Sequence, residues 1–278
     1  MRRRHDNPVQ VGRPVQVGRP VVRRQFLRSA GGAVGVLAFA GAVPAPLQAE
    51  RSGSAETAPC GESVQDIINA ALVAEQLATT IYYIGLTSPT ILRNNKIAGS
   101  SANPNAVGHN GNAGNVAYLQ AALDQEQKHA QILADAGAVS PFTHFYFPAS
   151  AVEELGYTSH TGTYLWALDH LETAFIGAYM AAARRFGALG RVDLAALAMR
   201  ILAVECQHRA LYRVISGDDP ADNVTLEVAD FSCVADAGAV LQPYLTGRGF
   251  QGRHAPVVPI SIPTPAQTAG VIGRTMSS

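Results

Sequence analysis

Four stretches of this chain repeat apolar residues at spacings of three and four, and one glutamate interrupts each repeat in register. Such spacing returns side chains to one face of an α-helix. The first stretch, residues 63–86, carries Val64, Ile68, Ala71, Ala78 and Tyr82, with Glu75 between Ala71 and Ala78. The second, 115–136, carries Val116, Leu119, Leu123, Ala130 and Leu133; Glu126 follows Leu123, and His129 comes three residues later. The third, 163–186, carries Leu165, Leu168, Phe175, Tyr179 and Ala182 around Glu172. The fourth, 192–216, carries Leu194, Ala198, Ile201, Tyr212 and Ile215, with Glu205 and, three residues on, His208. Gly137 stops the second stretch, Gly187 and Gly190 break the third, and Gly217-Asp218-Asp219-Pro220 ends the fourth.

The connections set the predicted topology. A polar Asn/Gly-rich loop (87–114) joins the first two helices, and a few residues join the last two. Between the pairs runs a long segment, 138–162, holding the aromatic cluster Phe142, Phe145, Tyr146 and Phe147. Two antiparallel hairpins and one long crossover make an all-α four-helix bundle. Residues 224–244 suggest a short fifth element, and from Ala255 the Pro-rich chain reads as an extended tail. The expected organisation is a disordered extension followed by an export signal (together 1–49), a linker (50–62), the bundle (63–217) and a partly irregular C-terminal extension (218–278).

In such a bundle Glu75, Glu126, His129, Glu172, Glu205 and His208 all face inward. A buried carboxylate loses several kcal/mol of hydration unless it is paired, protonated or bound to metal. No seam position supplies a lysine or arginine. Two divalent cations would match the four negative charges, and carboxylate oxygen with imidazole nitrogen suits iron, manganese or zinc. A single Glu-x-x-His arises often by chance; two of them on separate seams, with two further seam glutamates, form a specific pattern.

The order Glu, Glu-x-x-His, Glu, Glu-x-x-His, one element per helix, resembles the ferritin-like dinuclear metal carboxylate superfamily over residues 63–216. All six ligand positions of that family are present. The resemblance implies a ferritin-like bundle holding two metal ions, iron first and manganese second. It makes Glu126 and Glu205 the bridging ligands and Glu75 and Glu172 the terminal ones. In layout the chain is most similar to exported bacterial ferritin-like proteins related to plant desiccation-associated proteins.

That layout includes a leader. Residues 8–14 and 14–20 both read PVQVGRP. Arg23-Arg24-Gln25-Phe26-Leu27-Arg28 then precedes a mild Gly/Ala-rich apolar run, which resembles a twin-arginine export signal with cleavage expected after Ala49. This route is understood to carry folded proteins, which suits a protein loaded with metal before export. Nothing after residue 50 reads as a membrane span. The formal net charge of zero hides an asymmetry: residues 1–49 hold 8 of the 21 basic and one of the 21 acidic residues, leaving 13 basic against 20 acidic. An acidic body argues against a nucleic-acid partner.

Other residues carry alternatives. Tyr82, Tyr179 and Tyr212 sit one or two turns from ligand positions; electron relay is the sharper reading and core packing the simpler one. Asp124 and Asp169 are candidates to orient ligand imidazoles, against a plain surface role. His109, His144, His160, His170 and His254 have no pattern partner. Cys60 and Cys233 flank the bundle and pair naturally in an oxidising compartment, leaving Cys206 as a buried thiol. The expected function is a dinuclear redox protein acting on a small oxidant or a metal-ion substrate, as a ferroxidase, peroxidase or catalase-like enzyme in stress protection. The alternative is a non-enzymatic protein whose metals only staple the bundle. A homo-oligomer fits either.

Overall fold

The computed structural model describes residues 60–94, 97, 113–222, 231–250 and 256–273. The leader, the twin-arginine motif and most of the linker lie outside them. In chain order the described elements are α1 (Val64–Thr87), α2 (Pro89–Leu92), α3 (Ala113–Asp135), β1 (His144–Pro148), α4 (Ala149–Glu153), α5 (Tyr164–Ala188), α6 (Val192–Ser216), α7 (Val234–Thr246), β2 (Val257–Ser261) and α8 (Pro265–Ile272). The architecture is all-α apart from one small sheet.

Local signals fix the helix ends. Ser63 and Asp66 form a reciprocal capping box at the start of α1, which satisfies backbone donors that the first turn leaves open. Gly217 ends α6 at φ 86°, a left-handed conformation that glycine adopts without steric cost. Inside α1, Gly85 lets Tyr164 approach: a Cβ there would lie 2.1 Å from the tyrosine hydroxyl oxygen.

The helix α1 packs along α3 and α5 along α6, and the two hairpins join through α1–α5 and α3–α6. Their apolar faces form two clusters. One gathers Leu77, Ile81, Leu119, Leu165, Leu168 and their neighbours. The other gathers Ile67, Leu72, Leu133, Ala182, Ala198 and Ile201. Each fully buried leucine or isoleucine among them contributes about 1.5–3 kcal/mol of transfer free energy. A polar layer separates the clusters, because the six candidate ligands occupy the intervening turns.

Among the described residues α1 alone is long and apolar enough to cross a membrane. The expectation that no such segment follows residue 50 is thereby corrected. The reason is packing: 72% of its most apolar window is buried inside the protein. A bundle's central helix is apolar on several faces because it meets neighbours on several sides.

The C-terminal part is more regular than the sequence implied. Instead of one extended tail, β2 pairs antiparallel with β1, from His144 opposite Ser261 to Pro148 opposite Val257. The aromatic cluster of the crossover thus supplies a strand, with Phe145 and Phe147 fully buried. The following helix α8 lies on α1 and α3. There Thr268 donates to Gln127 Oε1 at 2.7 Å, and Gln120 Nε2 donates to the carbonyl of Val271 at 2.9 Å.

A disulfide joins Cys60, before α1, to Cys233, before α7. Around it Arg184 donates to the carbonyls of Phe231 and Ser232, and Ala235 N donates to Glu62 Oε1. The closed loop spans 173 positions, so the bond restricts the unfolded chain strongly. Cys233→Ser should lower unfolding free energy by about 2–5 kcal/mol in denaturant melts, whereas Cys206→Ser should not. Equal melts for the two variants would show that the bridge carries no stability.

Candidate metal centre

The polar layer brings together all six residues that the seams single out. Glu75 comes from α1, Glu126 and His129 from α3, Glu172 from α5, and Glu205 and His208 from α6. None is more than 8% exposed. Their donor atoms fall into two groups, each with atoms within 4.8 Å of one another. One group is Glu75, Glu126, His129 and Glu205; the other is Glu126, Glu172, Glu205 and His208. Glu126 and Glu205 belong to both, so they occupy the middle and the other four the flanks.

The imidazoles turn Nδ1 toward the carboxylates. His208 Nδ1 lies 2.7 Å from Glu126 and 3.2 Å from Glu205. His129 Nδ1 lies 3.2 Å from Glu75 and 3.3 Å from Glu205. On its other edge His208 Nε2 donates to Gln125 Oε1 at 2.8 Å, which leaves Nδ1 free to face the centre.

Two tyrosines hold the flanking glutamates in a reciprocal arrangement. Tyr82 of α1 donates to Glu172 of α5 at 2.6 Å, and Tyr179 of α5 donates to Glu75 of α1. Each tyrosine lies seven residues after the glutamate on its own helix, and each serves the glutamate of the other helix. Tyr118 lies beside Tyr82 and donates to the carbonyl of His208 at 2.8 Å.

Several carboxylate oxygens accept nothing. Both oxygens of Glu126, Oε2 of Glu172 and Oε1 of Glu205 are buried without a hydrogen-bond partner. Glu126 Oε1 is close to His208 Nδ1, but not aligned with a proton. Buried acceptors left open are costly. Hard cations prefer such oxygens, and imidazole nitrogens complete a set suited to first-row transition metals. The residues therefore fit bound metal.

Electrostatics shows the strain that the cluster carries without metal. Burial opposes the charge on His129, but the carboxylates of Glu126, Glu205 and Glu75 around it outweigh burial and push its pKa up to about 12. His208 is also raised, against burial, chiefly by Glu205. Burial alone would raise Glu205; the two imidazoles instead hold it at about 2. Glu126 and Glu172 are driven well above the usual carboxylate range, first by burial and then by the charge on Glu205.

Other predicted positions fall elsewhere. Tyr212 is buried but donates to Asp169 at 3.0 Å, not to a ligand. Asp169 does not orient an imidazole; it pairs with Arg213 at 3.2 Å and lies 3.9 Å from Arg209, two buried arginines that the seams did not reveal. Asp124 pairs with Lys128 at the surface. His144 contacts Tyr146, His160 the ring of Tyr157, and His170 stacks on Trp166. His109 and His254 lie outside the described residues. Cys206 is half-buried, not buried. The sequence reading missed Gln125 and Tyr118. Tyr118 precedes Glu126 by eight residues and sits beside seam residue Leu119; Gln125 is exposed and carries no local signal.

A family model described as a ferritin-like domain matches residues 63–218. The chain belongs to the ferritin-like domain family. The matched region begins at the cap of α1 and closes just past α6, so it contains every residue of the polar layer. No curated protein and no solved structure gives a significant match. Beyond the matched region the chain continues with α7, β2 and α8, and β2 pairs back onto β1 within it.

The imidazolium forms yield a testable pH dependence. A raised imidazole pKa stabilises the fold fully below the unfolded value of about 6.5, and that contribution fades only as pH climbs through the folded value. Nitrogen-15 NMR of the metal-free protein should find His129 protonated still at about pH 8. A neutral His129 under those conditions would contradict the described contacts with the three glutamates.

Proposed function

We propose that this ferritin-like domain holds two metal ions and serves redox chemistry outside the cytoplasm. The observation that carries the reading is the pair of four-residue groups sharing Glu126 and Glu205. Glu126 and Glu205 would bridge, Glu75 with His129 would complete one position, and Glu172 with His208 the other. Iron is the first expectation and manganese the second, since both accept this donor set. A bound pair would supply redox couples for dioxygen, peroxide or ferrous-ion oxidation.

The chain's own groups prepare that chemistry. Tyr82 and Tyr179 fix the flanking carboxylates, Gln125 fixes the tautomer of His208, and the apolar layers on both sides keep bulk water out. Before metal enters, the same pocket retains protons on Glu126, Glu172 and the imidazoles, so loading must release them. The twin-arginine-like leader supports filling the site in the cytoplasm and exporting a folded product, with stress protection as the role. The burial of all six ligands also favours a second reading, in which the ions only neutralise the core and staple the helices.

Elemental analysis of native material should find about two iron or manganese atoms per chain, lost in Glu126→Ala and Glu205→Ala. Well-folded native protein without metal would end the redox reading. Turnover of peroxide, or oxidation of ferrous ion, by the loaded protein separates enzyme from staple. Gln125→Leu should weaken metal affinity about 10–100-fold while leaving the fold intact. Unchanged affinity would mean that Gln125 does not set the imidazole.

A further inference from the structure

A second convergence of metal-binding side chains lies at the start of the bundle, outside the six-residue layer. Cys60, Glu62 and Cys233 bring donor atoms within 4.8 Å of one another. The stretch of α1 from its cap at Ser63 to Glu75 spans about 18 Å, so this group is separate from the ligand layer.

The two sulfurs are joined in the structure, but their proximity does not depend on that bond. On the last turns of α5, Arg184 donates to the carbonyls of Phe231 and Ser232 at 2.8 and 2.7 Å, and Arg185 Nε donates to the carbonyl of Glu62 at 3.0 Å. Consecutive arginines thus fix the segment before α7 and the segment before α1. Ala235 N donates to Glu62 Oε1 at 2.7 Å, and Val234 is buried in the second apolar cluster. Reduction would cut one covalent link and leave these contacts in place.

The donors are prepared for a cation. Glu62 spends one carboxylate oxygen on Ala235; the other, Oε2, is buried without a hydrogen-bond partner. Cys233 is the N-cap residue of α7, where the helix dipole and the open backbone donors of the first turn favour a thiolate. Cys60 is buried and Cys233 half-buried, so an ion can enter past Cys233. Two thiolates and one carboxylate carry three negative charges, and Arg184 and Arg185 stand alongside. Thiolates are soft ligands that favour zinc, whereas the oxygen and imidazole donors of the ligand layer suit iron or manganese.

We propose that Cys60, Cys233 and Glu62 bind one zinc ion when the two sulfurs are reduced. The ion then holds α7 to the start of α1 in place of the covalent bond. Three protein ligands leave one tetrahedral position to water, so the metal is exchangeable, unlike that of a closed four-ligand site. Binding releases the thiol protons. Passage to the disulfide is an exchange with a disulfide compound: the two thiolates give up two electrons, the Cys60–Cys233 bond forms, the oxidant's own sulfur–sulfur bond breaks into two thiolates, and zinc leaves. On the export reading proposed above, the zinc form belongs to the reducing compartment and the disulfide form to the exported protein. The site itself does not rest on the metal reading of the ligand layer.

Cobalt(II) is the probe, because sulfur ligation gives a thiolate-to-cobalt charge-transfer band in the near ultraviolet that oxygen and nitrogen ligands lack. The full chain, reduced with a phosphine and shown folded by circular dichroism, should acquire this band and lose it when zinc is added. Cys206→Ser should behave identically. Cys233→Ser should lack the band, and Glu62→Gln should bind zinc severalfold more weakly. Adding a disulfide oxidant to the zinc form should release the ion as the Cys60–Cys233 bond forms. Absence of the band in the folded, reduced chain overturns the proposal, as does unfolding on reduction or an unchanged zinc affinity in Glu62→Gln. A band that survives in Cys233→Ser and vanishes in Cys206→Ser assigns the sulfur elsewhere and overturns it too. The six-residue layer contains no sulfur, so its metal content, read by elemental analysis, stands apart from this result.

Discussion

Four carboxylates share one layer of a core that is otherwise apolar, and much of the structure answers that fact. A single buried glutamate would already cost several kcal/mol. Here Glu75, Glu126, Glu172 and Glu205 meet between two hydrophobic clusters. Two imidazoles lie against them, and two tyrosine hydroxyls donate to them. Oxygens of Glu126 are still left without a donor. The apolar clusters on either side supply the stability that the layer withholds.

The helices and the six polar positions were legible because both depend on local periodicity. A seam residue faces the core whatever lies opposite, so Glu75 or His208 could be placed inward from its own helix alone. The partners of these residues were not legible. Which tyrosine reaches which glutamate depends on how α1 and α5 are juxtaposed, and Tyr82 serves Glu172 in place of its own helical neighbour Glu75. Asp169 looked like a companion for an imidazole but faces Arg213, because direction around the helix counts as much as distance along it. Gln125 is exposed on α3 and matters only through its contact across to His208.

The C-terminal part was misread for a related reason. A strand has no local signature strong enough when its partner lies more than a hundred residues away, and Pro259 within β2 argued for an extended tail. Proline is tolerated there because β2 belongs to a two-stranded sheet and so has an unpaired edge. The aromatic residues of the crossover were noticed, but their role as a strand required the distant segment to be seen beside them.

The placement of α8 bears on how the protein is made. This helix lies on α1 and α3, bonding to Gln120 and Gln127 on the same helix that carries Glu126 and His129. The helix α3 is therefore covered by a helix that leaves the ribosome much later than it does. Until the residues of α8 have been released, the outer face of α3 remains bare. The ligand layer can gather early, but the domain closes around it only once α8 has been released.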